Sequence, residues 1–101
     1  MISNEQAKRM VGPGWGKIID NFYRKIPPEA WVYSMKEKFG ALRIDGYNIP
    51  WEIEEEAMTA SEKICELCGD NGETRDLSWI STLCDNHYQE KLKQNEERVK
   101  N

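Results

Sequence analysis

Cys65-Glu66-Leu67-Cys68-Gly69, a polar segment, and then Leu83-Cys84-Asp85-Asn86-His87 form the stretch from which the rest of the chain is read. The spacing is Cys-x2-Cys-x15-Cys-x2-His, and it takes in all three cysteines and the only histidine of the chain. Thiolate and imidazole are the ligands that a tetrahedral Zn2+ prefers, and two close pairs separated by a longer segment is the usual build of a structural site. The spacing therefore predicts a bound zinc held by Cys65, Cys68, Cys84 and His87. Free buried cysteines or a redox Cys-x2-Cys pair are the alternatives. The redox reading leaves Cys84 and His87 unexplained and lacks a βαβ context.

Working outward, Gly69 suits a knuckle turn that needs positive φ. Residues 69–83 contain the strand formers Thr74, Trp79, Ile80 and Thr82 and read as a short hairpin. Cys84 opens a last helix, and His87 lies three residues on, on the same face. A knuckle, a hairpin and a ligand-bearing helix in that order make a treble-clef-like arrangement. Tyr88, Leu92 and Val99 give the helix a thin apolar edge, and residues 93–101 are polar and expected to fray.

Upstream, Ser3-Asn4-Glu5-Gln6 has the form of a capping box. Ala7, Met10 and Val11 follow at helical spacing, and Gly12-Pro13-Gly14 ends that helix. Trp15, Ile18, Ile19, Phe22, Tyr23 and Ile26 then define one apolar face of a second helix, which Pro27-Pro28 stops. Residues 31–47 read as a hairpin turning at Phe39-Gly40. Trp31, Tyr33 and Met35 alternate with Val32, Ser34 and Lys36, so strict alternation puts the aromatic and aliphatic set on one face. Lys36 and Arg43 then meet on the other, either as ordinary solvated charges or as an anion or partner contact. A helix over about 50–64 follows. Its early Glu52, Glu54, Glu55 and Glu56 complement the helix dipole and lack any calcium-loop pattern.

These elements predict an α+β fold: a small zinc-stabilised domain. N-terminal amphipathic helices and a hairpin occupy residues 1–64, and the zinc-binding part occupies 65–101, the two expected to form one compact domain. With 101 residues and 39% hydrophobic content, the core is of limited depth and a metal staple would add materially to it. No apolar run nears about 18 residues, so no membrane span is expected. No secretory signal is seen either, and reduced cysteines fit the cytoplasm.

The net charge is −4, unevenly spread. Residues 1–47 carry eight basic against five acidic side chains (+3), and residues 48–101 carry six against thirteen (−7). Overall acidity argues against a non-specific nucleic-acid binder. His87 is the only candidate general base and is committed to the metal, so nuclease and triad-hydrolase chemistry have no base to use. The chain is expected not to be an enzyme, and a site with four protein ligands is expected to be structural.

Lys36-Glu37-Lys38-Phe39-Gly40-Ala41-Leu42-Arg43, followed by Cys65-Glu66-Leu67-Cys68-Gly69, Gly72, Arg75, Trp79 and Thr82-Leu83-Cys84-Asp85-Asn86-His87, resembles a group of small phage- and prophage-encoded zinc-binding proteins. That group shares a Lys-Phe-Gly-x-Leu-Arg stretch and a terminal Leu-Cys-x-x-His. The likeness covers roughly residues 15–90. It implies a virus-encoded cytosolic accessory protein and no particular mechanism.

The leading expectation is a non-enzymatic zinc-stabilised binding module that engages or inhibits a host protein, including a defence system. One alternative is a nucleotide or small-anion binder, with Lys36, Lys38 and Arg43 on phosphate and Trp31, Tyr33 or Tyr47 stacked on a base. Another is a nucleic-acid-binding zinc protein. Homo-oligomerisation stays open.

Overall fold

The computed structural model describes the backbone of residues 1–99 and the side chains of residues 1–94. Helix α1 spans Asn4–Met10, and its capping box forms: the Ser3 hydroxyl accepts the Gln6 N–H, and the Gln6 side chain accepts the Ser3 N–H. A 3-10 turn over Pro13–Trp15 leads into α2, Gly16–Lys25. The apolar face read from the sequence is the one that packs. Trp15, Ile19 and Phe22 are buried, and Ile18, Tyr23 and Ile26 lie against the core.

Strands β1 (Trp31–Lys38) and β2 (Ala41–Tyr47) pair antiparallel. Phe39 and Gly40 connect them at φ 55 and 80, the paired positive values of a type I′ turn. The predicted facing of this hairpin needs correction. Val32 pairs with Gly46 and Ser34 with Asp45, so Tyr33 is an extra residue in β1, a bulge. One extra residue inverts everything that precedes it. Val32 and Met35 therefore face the core, while Trp31 and Tyr33 turn outward and are 48% and 59% exposed. The inner face is aliphatic: Val32, Met35, Leu42 and Ile44, packed with Ala7, Trp15, Ile19, Phe22 and Ala57.

Helix α3 runs Trp51–Ser61 behind Pro50. It stops three residues short of the predicted end at 64 because the following backbone is engaged elsewhere. Gly72 N–H donates to the Lys63 carbonyl, Trp15 Nε1 donates to the Ile64 carbonyl, and Ile64 bridges to Asn71. The Trp15 bond satisfies the indole N–H of a side chain that is otherwise wholly buried. Strands β3 (Glu73–Asp76) and β4 (Ile80–Leu83) form the second hairpin, and α4 spans Asp85–Val99. Leu83, Cys65 and Cys84 form a second small core with Leu67, Leu77 and Tyr88. The end expected to fray from residue 93 is helical as far as Val99; the Val99 side chain, assigned to the apolar edge, and residues 100–101 lie outside the described residues.

The two parts of the chain are joined by specific bonds. Gly14 N–H donates to the Glu66 carbonyl and Gly72 N–H to the Lys63 carbonyl, both at 2.8 Å. The buried Thr82 hydroxyl donates to the Gly40 carbonyl at 2.6 Å. That last bond ties the tip of the first hairpin to the strand that leads into Cys84. Among the described residues no helix is long and apolar enough to cross a membrane.

Candidate functional site

Local backbone geometry builds the Cys/His cluster. Within the knuckle, Cys65 N–H donates to the Asp70 carbonyl and Gly69 N–H to the Cys65 carbonyl. Gly69 sits at φ 86, as the turn requires. Glu66 N–H donates to the Thr82 carbonyl, which lays the knuckle against β4. Cys84 immediately precedes α4. Its carbonyl accepts the Tyr88 N–H, and its sulfur accepts the His87 N–H at 3.5 Å, so it occupies the capping position at the positive end of the helix.

One ligand atom from each of Cys65, Cys68, Cys84 and His87 lies within 4.8 Å of every other. Cys68 Sγ is 3.7 Å from Cys84 Sγ, and His87 Nδ1 is 3.5 Å from Cys65 Sγ and 3.2 Å from Cys84 Sγ. A tetrahedral ion with bonds of about 2.3 Å to sulfur and about 2.0–2.1 Å to nitrogen has edges of about 3.8 Å (S···S) and about 3.5 Å (S···N). These three separations lie within about 0.3 Å of those edges, and the four side chains can hold one metal ion, with His87 offering Nδ1. Cys65 and Cys84 are buried, His87 is half-buried and Cys68 is exposed.

The thiols differ electrically. Burial pushes Cys65 up, but the N–H groups of Cys84, Leu67 and Cys68 outweigh it and bring Cys65 down to about 7. At Cys68 the Asp70 N–H favours the thiolate, yet desolvation and the neighbouring Cys65 and Cys84 sulfurs prevail and push it up to about 11. Three sulfurs this close resist ionising together, and a divalent cation among them would remove that resistance. Next to the knuckle, burial and then Glu37 raise the Glu66 carboxyl.

The sequence marks Arg75 only through the resemblance, and the fold shows what it does. Its Nε donates to the Leu83 carbonyl, its Nη2 meets Asp85 at 2.7 Å, and its guanidinium lies 4.4 Å from the centre of the Tyr88 ring. It holds the end of β4 and the first turn of α4 in register, and with them Cys84 and His87.

The other six residues singled out in the sequence also come together. Trp31 is paired with Tyr47 and Lys36 with Arg43, and the bulge puts Tyr33 on the same side. With Lys38 these side chains form the exposed outer face of the first hairpin. Lys36 lies 3.8 Å from Asp45, which also accepts the Ser34 hydroxyl. Among the described residues neither Lys38 nor Arg43 has an ion-pair partner.

Sequence reasoning missed Phe39 as a member of this face. It is 64% exposed at the hairpin tip, with Lys38 Nζ 5.8 Å from its ring centre. The available signal was its place before Gly40 in a two-residue turn. Cavities of about 260 and 490 Å³ lie elsewhere. The first is lined by Ile18, Phe22, Ile53 and Ala57 between α2 and α3, the second by Lys8, Lys17, Asp20 and Cys68. No protein-family model matches the chain, no curated protein matches it in sequence and no solved structure matches its fold, so its function is read from this geometry.

Proposed function

We propose that the chain is a zinc-stabilised, non-catalytic docking module that engages a partner protein through the outer face of the first hairpin. One observation carries the reading. The side chains of Trp31, Tyr33, Lys36, Lys38, Arg43 and Tyr47 all open on a single exposed sheet face, with Phe39 at its end. Trp, Tyr and Arg are the residue types that dominate the energetics of protein interfaces.

Phe39 adds independent support. A bulky side chain at φ 55 is an unfavourable choice for a position that Asn or Gly fills without cost. Such strain concentrates at functional sites.

Zinc is the ion that three thiolates and one imidazole at tetrahedral spacing suit best. In this reading Cys65, Cys68, Cys84 and His87 close its coordination, and it supplies folding stability rather than chemistry. His87 is then unavailable as a base. Through Thr82 and Gly40 the metal-bearing part holds the hairpin tip in place. On the resemblance drawn from Lys36 to Arg43 and the Cys/His spacing, the module is phage-encoded, acts in the cytoplasm, and takes a host protein as its partner, including a component of host defence.

Site-specific photo-crosslinking tests this. Benzoylphenylalanine replaces Tyr33, and, as a control across the core, the exposed Lys17 of α2. The zinc-loaded chain is expected to give one stoichiometric protein adduct from position 33 and none from position 17. Absence of an adduct at 33 in folded protein, or the same adducts at both positions, refutes it.

A further inference from the structure

Resting on that docking face, we infer that its occupant is an extended acidic segment carrying an aromatic or aliphatic anchor. The face has two ends of different chemistry. At one end Trp31 and Tyr47 sit side by side as a cross-strand pair, with Tyr33 beside them. At the other, Lys36 and Arg43 form the next outward pair but one, followed by Lys38 near the turn. Arg43 and Tyr47 are four residues apart along β2, about 13 Å at the rise of a strand. An extended ligand that seats an apolar side chain in the aromatic cradle presents its side chain four residues along to the cations.

Charge decides the sign of the ligand. Lys36, Lys38 and Arg43 face outward, and the one carboxylate among them, Asp45, is shared with Ser34 and lies 3.8 Å from Lys36. The guanidinium of Arg43 and the ammonium of Lys38 have no ion-pair partner among the described residues. A carboxylate is the ligand group that a free guanidinium engages with two parallel hydrogen bonds.

The same face is poorly made for single-stranded nucleic acid. Three cations neutralise few phosphates, and the chain as a whole carries −4. Asp45, opposite Ser34, stands between the aromatic cradle and the cation pair. A phosphate backbone running from one to the other would pass over its carboxylate. A peptide meets Asp45 instead as an acceptor for a backbone N–H.

A random dodecapeptide library selected on the zinc-loaded full chain tests this. Selected peptides are expected to carry Asp or Glu about four residues from a Trp, Phe or Leu, the separation set by the strand rise. K36E/R43E, which alters only exposed side chains, is expected to weaken them about tenfold or more and to turn the preference toward Lys-containing peptides. A thymidine oligonucleotide of similar length is expected not to displace them. The inference is overturned if no peptide is selected, if selected peptides are neutral or basic, if K36E/R43E leaves their binding unchanged, or if the oligonucleotide binds more tightly through Arg43. Should it be overturned while the Tyr33 crosslink persists, the docking face stands and only the acidic character of its occupant is wrong.

Discussion

Replacing Gly14 by alanine should strongly destabilise the zinc-loaded chain, whereas replacing Gly16, two residues on, should not. A Cβ at Gly14 would overlap the Cys65 carbonyl oxygen and lie 2.7 Å from the Gly69 amide nitrogen, both parts of the metal knuckle. These are backbone atoms and cannot rotate away. Restoring ordinary contact, about 3.5 Å or more, requires the loop to retreat by more than about 1.5 Å from the Cys65 carbonyl. That movement breaks the 2.8 Å bond from Gly14 N–H to the Glu66 carbonyl and strains the 3.0 Å bond from Trp15 Nε1 to the Ile64 carbonyl. Unsatisfied buried partners cost about 1–3 kcal/mol each and overpacking a similar amount, giving about 3–5 kcal/mol in all. For a domain of this length that is a fall in Tm of about 15 °C or more.

The control is built into the same loop. A Cβ at Gly16 meets only the flexible Lys8 Cε, at 3.9 Å, and Gly16 lies in the first turn of α2. G16A should therefore be neutral or gain up to about 1 kcal/mol by restricting the unfolded chain. Urea titration and thermal melting of the two variants, each with zinc stoichiometry determined, give the comparison. Equal stabilities, or a G14A protein with an unchanged Tm, would show that the helical part does not close against the knuckle as described.

The other predictions concern separate features. Each chain should carry one zinc, and C65S or C84S should abolish its retention through gel filtration; the loss amounts to about 10 kcal/mol of apparent folding free energy, so chelation should abolish near-UV dichroism. An unchanged spectrum with chelator would refute a structural role for the ion. F39N should stabilise the chain by about 1 kcal/mol in urea titration, because Asn tolerates the left-handed conformation that Phe39 adopts, while weakening partner capture. Acid should loosen the contacts between helices: hydrogen bonds from Lys8 and then Asn4 hold Asp20 below the usual carboxylate range, and Lys25 does the same for Glu56. Their contribution is present above the unfolded carboxylate pKa and is lost as pH falls through the lowered folded values, so D20N/E56Q should flatten that part of the stability–pH curve.

The parts of this fold that follow from local rules were legible in the sequence. The capping box at Ser3, the apolar period from Trp15 to Ile26, the turn at Phe39-Gly40 and the paired ligands each depend on residues only a few positions apart. Cys65 and Cys84 are distant in sequence, but a tetrahedral ion imposes its own geometry, which made their meeting readable. The facing of Trp31 and Tyr33 was not. A single bulged residue leaves no trace in a two-residue period, and Val32 is as good a core residue as Tyr33. The early end of α3 was hidden for a related reason. The carbonyls of Lys63 and Ile64 are claimed by Gly72 and Trp15, contacts that only the assembled chain supplies. The six outward candidates were legible as residue types, and their gathering on one surface came from the register.

The bond from Thr82 to Gly40 is short, buried and placed between the candidate ligands Cys84 and His87 and the tip that carries Phe39. It is the direct contact through which occupancy at one end would bear on grip at the other. If a metal sits among the four ligands and a partner grips the tip, each raises the other's equilibrium affinity by the same factor. On the proposed function, stripping the ion would then blunt the docking surface as well as loosen the fold.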